Sequence, residues 1–97
     1  MQRGGVVYIM CSPNRTTLYI GVTSNLCERV YEHRNKYYLN SFTAKYNCVM
    51  LVYYAPYERI EEAIIAEKKL KDRSRRYKEK LIDSINPAWK DLWEDLS

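Results

Sequence analysis

Val6-Val7-Tyr8-Ile9-Met10-Cys11-Ser12-Pro13-Asn14-Arg15-Thr16-Thr17-Leu18-Tyr19-Ile20-Gly21-Val22 is the stretch that decides the fold. Val6–Cys11 is apolar at successive positions, which predicts a strand buried on both faces and therefore central in its sheet. Ser12-Pro13-Asn14-Arg15 is a turn signal. Thr17–Val22 reads as a second strand, so the pair forms a hairpin. A turn centred between Pro13 and Asn14 sets Tyr8 opposite Tyr19, both projecting from one face; a bulge makes them diagonal neighbours instead. An aromatic pair in the core is the plain reading of that contact. Gly21 marks a close backbone approach or a bulge.

After the hairpin, Ser24 or Asn25 can cap a helix over Leu26–Lys36. Its apolar stripe runs through Leu26, Val30 and, if it extends, Tyr37, with His33 on the same line. Residues 38–47 are polar and aromatic and read as a loop. Cys48–Ala55 is a third strand, bounded by Pro56. Glu58–Lys71 is a helix with Glu58, Glu61 and Glu62 at its start and Lys68, Lys69 and Lys71 at its end, matching the helix dipole. Arg75–Ile85 is a further helix, packing Leu81, Ile82 and Ile85. Asn86-Pro87 ends it, because the residue before proline avoids the helical region. Trp89, Leu92, Trp93 and Leu96 follow at helical spacing as an apolar closing segment. The order β-β-α-β-α-α, with three strands available, predicts an α+β domain: a small three-stranded sheet flanked by helices.

The chain has 97 residues, so residues 1–97 are expected to form a single domain. Its 46% apolar content is enough for a core and argues against disorder. No apolar run reaches the roughly 20 residues of a membrane span, and Met1–Gly5 is too short and polar for a secretion signal. The expected setting is the cytoplasm, away from membranes. The cysteines, Cys11, Cys27 and Cys48, are odd in number and widely spaced, which suggests neither a disulfide framework nor a zinc site. A cysteine nucleophile working with His33 is the weaker reading of them. The net charge of +4 is modest, but residues 68–80 carry eight basic and two acidic side chains. Part of that run completes a helix dipole. Its size, with Tyr77 inside it, equally suits contact with a phosphate backbone through Arg75, Arg76 and Lys78.

Three further positions bear on chemistry. Arg29 and His33 are four residues apart and neighbours on one helix face. The plain reading is an exposed Arg beside a satisfied His; the functional one pairs a phosphate-binding Arg with a proton-transferring His. Glu67 lies on the apolar stripe Ile60, Ala63, Ile64 and Leu70. A carboxylate there needs a partner. Either a nearby Arg supplies it, or a metal does. A single carboxylate suits Mg²⁺, which keeps several waters and takes substrate phosphates as further ligands.

Val6-Val7-Tyr8, Tyr19-Ile20-Gly21-Val22-Thr23, Arg29 and His33 on the next helix, Glu67, and Asn86-Pro87 together resemble the GIY-YIG nuclease domain. The likeness is to small single-domain bacterial proteins similar to the nuclease part of the excision-repair endonuclease. It runs from Val6 to Leu92. The first motif has Val6-Val7 where the family has Gly-Ile, and Lys71-Asp72-Arg73-Ser74 differs from the Gly-aromatic connection of similar small proteins.

The resemblance implies a three-stranded antiparallel sheet and an endonuclease that hydrolyses DNA phosphodiester bonds with one divalent metal, Mg²⁺ or Mn²⁺, leaving 5′-phosphate and 3′-hydroxyl ends, in DNA repair or recombination. Carried over by position, Tyr8 is the general base or water positioner and Tyr19 assists it. Arg29 stabilises charge on the phosphoryl oxygens, His33 transfers a proton or supports, and Glu67 holds the metal. Asn86 orients phosphate or a catalytic Tyr. Tyr8, Tyr19, Arg29 and Glu67 are then expected to converge on one concave surface. The family's large members carry a separate DNA-binding domain. Here selection of DNA, branched and structured forms included, falls to the domain itself, a homodimer or a protein partner. Two other classes compete: a nucleic-acid-binding module with vestigial or no catalysis, and a structural protein in which Tyr8 and Glu67 only pack.

Overall fold

The structure is a computed structural model and describes residues 4–96, so part of the Met1–Gly5 stretch and the ends of the expected 1–97 domain lie outside it. β1 (Gly5–Cys11), β2 (Leu18–Thr23) and β3 (Met50–Tyr57) form one antiparallel sheet in the order β2-β1-β3. α1 (Leu26–Arg34) and a short α2 (Phe42–Lys45) separate β2 from β3. α3 (Ile60–Lys71), α4 (Arg75–Ile85) and a 3₁₀ turn (Leu92–Leu96) complete the chain. The α+β class and the β-β-α-β-α-α order are as the sequence predicts. No helix among the described residues is long and apolar enough to cross a membrane.

β1 is central because every second side chain finds an apolar layer on each face. Val7, Ile9 and Cys11 pack with Ala63 and Leu70 of α3 and Ile82 of α4. Tyr8 and Met10 pack on the other face with Val30 of α1, Cys48 and Leu51. The sheet is therefore sandwiched, α3 and α4 on one side and α1 with the 3₁₀ turn on the other.

The hairpin turns where expected, with the Arg15 N–H donating to the Ser12 carbonyl at 2.8 Å. Its register differs. Tyr8 faces Gly21 and Met10 faces Tyr19, so Tyr8 and Tyr19 are diagonal neighbours. No bulge causes this. Residues 12–17 all stay out of the ladder, because Ser12 and Asn14 hold them: Ser12 Oγ accepts the Thr17 N–H at 3.1 Å, and Asn14 Oδ1 accepts the Thr16 hydroxyl at 2.9 Å. The shift is by two residues, so both rings keep the same face. A register shift lies between β1 and β3, at Ile9/Met10. Pro56 falls inside β3, which tolerates it as an edge strand.

The closing segment is not one apolar stripe. Trp89 packs with the α3–α4 layer, whereas Leu92, Trp93 and Leu96 pack on the opposite layer. The chain thus wraps round the β3 edge. It satisfies that edge as it passes, since Asn86 Nδ2 donates to the Val52 carbonyl at 3.0 Å and Asp91 Oδ1 accepts the Leu51 N–H at 3.2 Å.

Candidate active site

The site grows from the β1–β2 pairing and the start of α1. Asn25 caps α1, its Oδ1 accepting the Glu28 N–H at 3.1 Å. This fixes the helix phase so that Val30 and His33 turn inward and Arg29 stands at the rim. Gly21 lies under the Tyr8 ring: a Cβ there would come within 2.4 Å of Tyr8 Cζ and Oη. The close approach suggested by the sequence is this one.

Tyr8 Oη is 2.9 Å from His33 Nε2, and His33 Nδ1 is 2.9 Å from Thr43 Oγ1. The Tyr8, Tyr19 and His33 rings cluster, with centroids 6.3 Å apart for the two tyrosines, 5.7 Å for Tyr8–His33 and 5.5 Å for Tyr19–His33. The Arg29 guanidinium is near enough to pull the Tyr8 phenol down. It also reaches Glu32 at 3.4 Å, and its side chain is 39% exposed. A shallow polar depression lies beside it, lined in part by Thr23, Asn25, Glu28 and Tyr38.

Burial dominates the electrostatics. It pushes the Tyr8 phenol up to about 12; Arg29 pulls it down, while Tyr19 and Glu67 push it further up. Burial, seconded by Arg29, lowers the His33 imidazole to about 4 against an upward pull from Glu32. At neutral pH both groups are uncharged and hydrogen-bonded, beside a permanent cation.

Tyr8, Tyr19, Arg29 and His33 thus meet on one face of the sheet. Glu67 comes from the other side. α3 packs against the opposite face, along β1 and the edge strand β2. From there the Glu67 carboxylate is near enough for its charge to raise the Tyr8 phenol. Its side chain is 12% exposed and its partner is Lys71, with Nζ at 3.3 Å, rather than an Arg. The α3 stripe also differs from expectation: Ala66 packs inward and Ile64 is exposed.

The donor set speaks to the metal. Among the described residues no group of three or more His, Cys, Asp or Glu is arranged to hold one. A lone half-buried carboxylate fits a hard, hydrated ion held largely by water and phosphate oxygens, and does not fit an ion caged by protein.

Asn86 and most of the basic run lie elsewhere. Asn86 is buried, donating from Nδ2 to the Val52 and Lys90 carbonyls and accepting the Lys90 N–H on Oδ1. The structure gives it a bracketing post and no place in the cluster. Arg75 donates to the Thr16 and Arg15 carbonyls and to Glu79, tying α4 to the hairpin loop. Lys78 donates to the Lys71 carbonyl at 3.3 Å. Arg76 is exposed. The cysteines are free; burial pushes the Cys11 and Cys48 thiols up to about 11, and neither His33 nitrogen bonds to a cysteine. Thr43 is the residue that sequence reasoning missed. It sits in α2, inside the stretch read as loop, and its only signal was that a buried His33 needs a partner at each nitrogen.

No curated protein matches the chain. Among solved structures, the solution NMR structure of the UPF0213 protein BH0048 from Bacillus halodurans is similar, at 25% identity and a TM-score of 0.57, covering 91% of this chain and 92% of that one. The model of the GIY-YIG catalytic domain matches residues 4–81. With the two tyrosines on adjacent strands and Arg29 on the helix that follows, the chain belongs to the GIY-YIG family.

Proposed function

We propose that the protein is a metal-dependent endonuclease that hydrolyses DNA to 5′-phosphate and 3′-hydroxyl ends. One observation carries this reading: the Tyr8 hydroxyl lies 2.9 Å from His33 Nε2, with Arg29 near enough to lower the phenol. Arg29, half-exposed at the rim, takes a non-bridging phosphate oxygen through its guanidinium fork. Water attacks phosphorus and the bond to the 3′ oxygen breaks. The water's proton goes to Tyr8 Oη as the Tyr8 proton moves to His33 Nε2, and the 3′ oxygen takes a proton from solvent. A phenol whose own proton leaves in the same step need not ionise first. Tyr19 packs against both rings and holds them in place. Glu67 would hold one Mg²⁺ or Mn²⁺ in exchange for Lys71; when bound, that ion stabilises charge on the leaving and phosphoryl oxygens. Exposed Arg76 supplies a backbone contact. A cytoplasmic setting goes with a DNA substrate.

A second reading has its own support. Tyr8 has no exposed surface in this structure, so hydrolysis requires a rearrangement that uncovers the hydroxyl. Without that rearrangement the same residues make a nucleic-acid-binding module without turnover. Nicking of supercoiled plasmid with Mg²⁺ or Mn²⁺, against EDTA, tests the nuclease reading. Nicking that disappears with EDTA is the expected result; binding without nicking under all metals assigns the module instead.

A further inference from the structure

We propose that Thr43 is a positioning residue: its Oγ1 takes the His33 Nδ1 proton in a hydrogen bond and so keeps His33 Nε2 bare and aimed at the Tyr8 hydroxyl. This deepens the nuclease reading and rests on it for its catalytic half. The direction of the chain follows from donor and acceptor counting. Tyr8 is fully buried, so its hydroxyl proton must be taken by a protein acceptor, and Arg29, whose charge lowers the phenol, has donors and no acceptor. The Tyr8 proton therefore goes to the hydroxyl's hydrogen-bond partner, His33 Nε2, at 2.9 Å.

A neutral imidazole carries one proton, which must therefore sit on Nδ1 and point at Thr43 Oγ1, also at 2.9 Å. With Oγ1 accepting from His33, the Thr43 hydroxyl is left to donate to Ser41 Oγ, 3.2 Å away. Ser41 Oγ also accepts the Ala44 N–H at 3.2 Å as the cap of α2. The relay is thus anchored on backbone.

Burial keeps water from competing, since Thr43 is 2% exposed. The groups around the ring are Arg29 and Glu32 from α1, Tyr8 from β1, Tyr19 from β2 and the Thr43 hydroxyl from α2. Burial with Arg29 outweighs Glu32, which keeps the resting ring neutral. Lys36 and Asn47, at φ 51° and 57°, turn the chain into and out of the segment that delivers Thr43. When Tyr8 takes a proton from water and gives its own to Nε2, the imidazolium keeps its Nδ1–H on Thr43. The added proton returns to solvent after the strand is cut.

His33 is the only histidine in the chain, so long-range ¹H–¹⁵N correlation spectra show a single ring system and identify its tautomer. The wild type is expected to carry its proton on Nδ1. Thr43→Val, which keeps the shape and removes the hydroxyl, should shift the population toward Nε2–H, and Thr43→Ser should restore the wild-type pattern. In plasmid nicking, Thr43→Val should lower kcat by about 10- to 100-fold with KM unchanged, the range seen where a metal-ligating histidine loses the partner of its other nitrogen, and Thr43→Ser should recover most of it. An Nε2–H wild type, or a Thr43→Val spectrum identical to wild type, overturns the assignment. If Thr43→Val does not fold, Thr43→Ala takes its place with the same expected shift toward Nε2–H, and its absence overturns the assignment. Absence of nicking with the predicted tautomer in place defeats the nuclease reading and the catalytic half with it; nicking with the wrong tautomer defeats Thr43 alone.

Discussion

The Tyr8 ring lies on the bare Cα of Gly21, its cross-strand partner in β2. The contact has nothing to do with backbone torsion, because no glycine in the described residues has a positive φ. It is a matter of space. A methyl at position 21 would stand 2.4 Å from Cζ and Oη of a ring that is fully buried and held by His33. Gly21→Ala is therefore expected to lower stability by about 1–3 kcal/mol, the range for overpacking a filled site. For a domain of this size that is a fall in Tm of roughly 4–8 °C per kcal/mol. A melt indistinguishable from wild type would show that the ring can swing aside at no cost.

The two buried groups bound the pH range of stability. His33 has its folded pKa lowered from 6.5 to about 4, so the unfolded chain binds the proton more readily. Its contribution is present above pH 6.5 and is lost as pH falls toward 4, at up to about 1.4 kcal/mol per pH unit. Tyr8 has its folded pKa raised from 10.0 to about 12; its contribution is present below pH 10 and is lost as pH rises toward 12. Urea midpoints across pH should form a plateau between these limits. His33→Gln should flatten the acid limb and leave the alkaline one. An acid limb of equal steepness in that variant would assign it to other groups.

The hairpin and the shared face of Tyr8 and Tyr19 were legible because side-chain alternation survives a shift of two residues. The register was not. Thr16 and Thr17 are β-branched and read as strand, while their hydrogen bonds to Asn14 and Ser12 keep them in the loop. α2 is too short for any periodicity to show, so Thr43 went unseen. Glu67 was legible as a carboxylate in need of a partner; that the partner is Lys71, one turn on, depends on rotamers the sequence does not encode. The split of Trp89 from Leu92 and Trp93 across the β3 edge was hidden for a different reason. Helical spacing describes one face of a helix and has no signature for a chain that changes sides.

The basic run divides into structural and free charges. Arg75 bonds two hairpin-loop carbonyls and Glu79, and is the link between that loop and α4. Arg75→Ala should lower Tm while leaving the salt dependence of DNA affinity unchanged. Arg76 is exposed, and Arg76→Ala should do the reverse, flattening the log–log salt slope by about 0.9 if it neutralises one duplex phosphate. Fluorescence anisotropy over a salt series, beside thermal melts, measures both. A slope change with Arg75→Ala and none with Arg76→Ala would exchange their roles.

Glu67 and Lys71 make the most direct test of the metal. The carboxylate is 12% exposed and its cationic partner 51%, one helical turn apart. A pair of that kind adds about 0.2–0.5 kcal/mol to a helix, so Glu67→Gln, which keeps the volume, should cost little stability. Catalysis should suffer far more. If Glu67 places the metal, its loss removes several kcal/mol of charge stabilisation in the transition state, a rate drop of roughly a thousandfold or greater. Lys71 offers a second test, because its positive charge beside Oε2 disfavours another cation at the same carboxylate. Lys71→Met removes the competing charge and keeps the stem that packs on the helix. It should shift the Mg²⁺ dependence of nicking to lower concentration, and the melting temperature should rise with Mg²⁺ more steeply than in wild type. Glu67→Gln should abolish that Mg²⁺ response. If instead Glu67→Gln nicks normally, or melts far below wild type with and without Mg²⁺, the residue is a structural ion-pair partner and the metal belongs elsewhere.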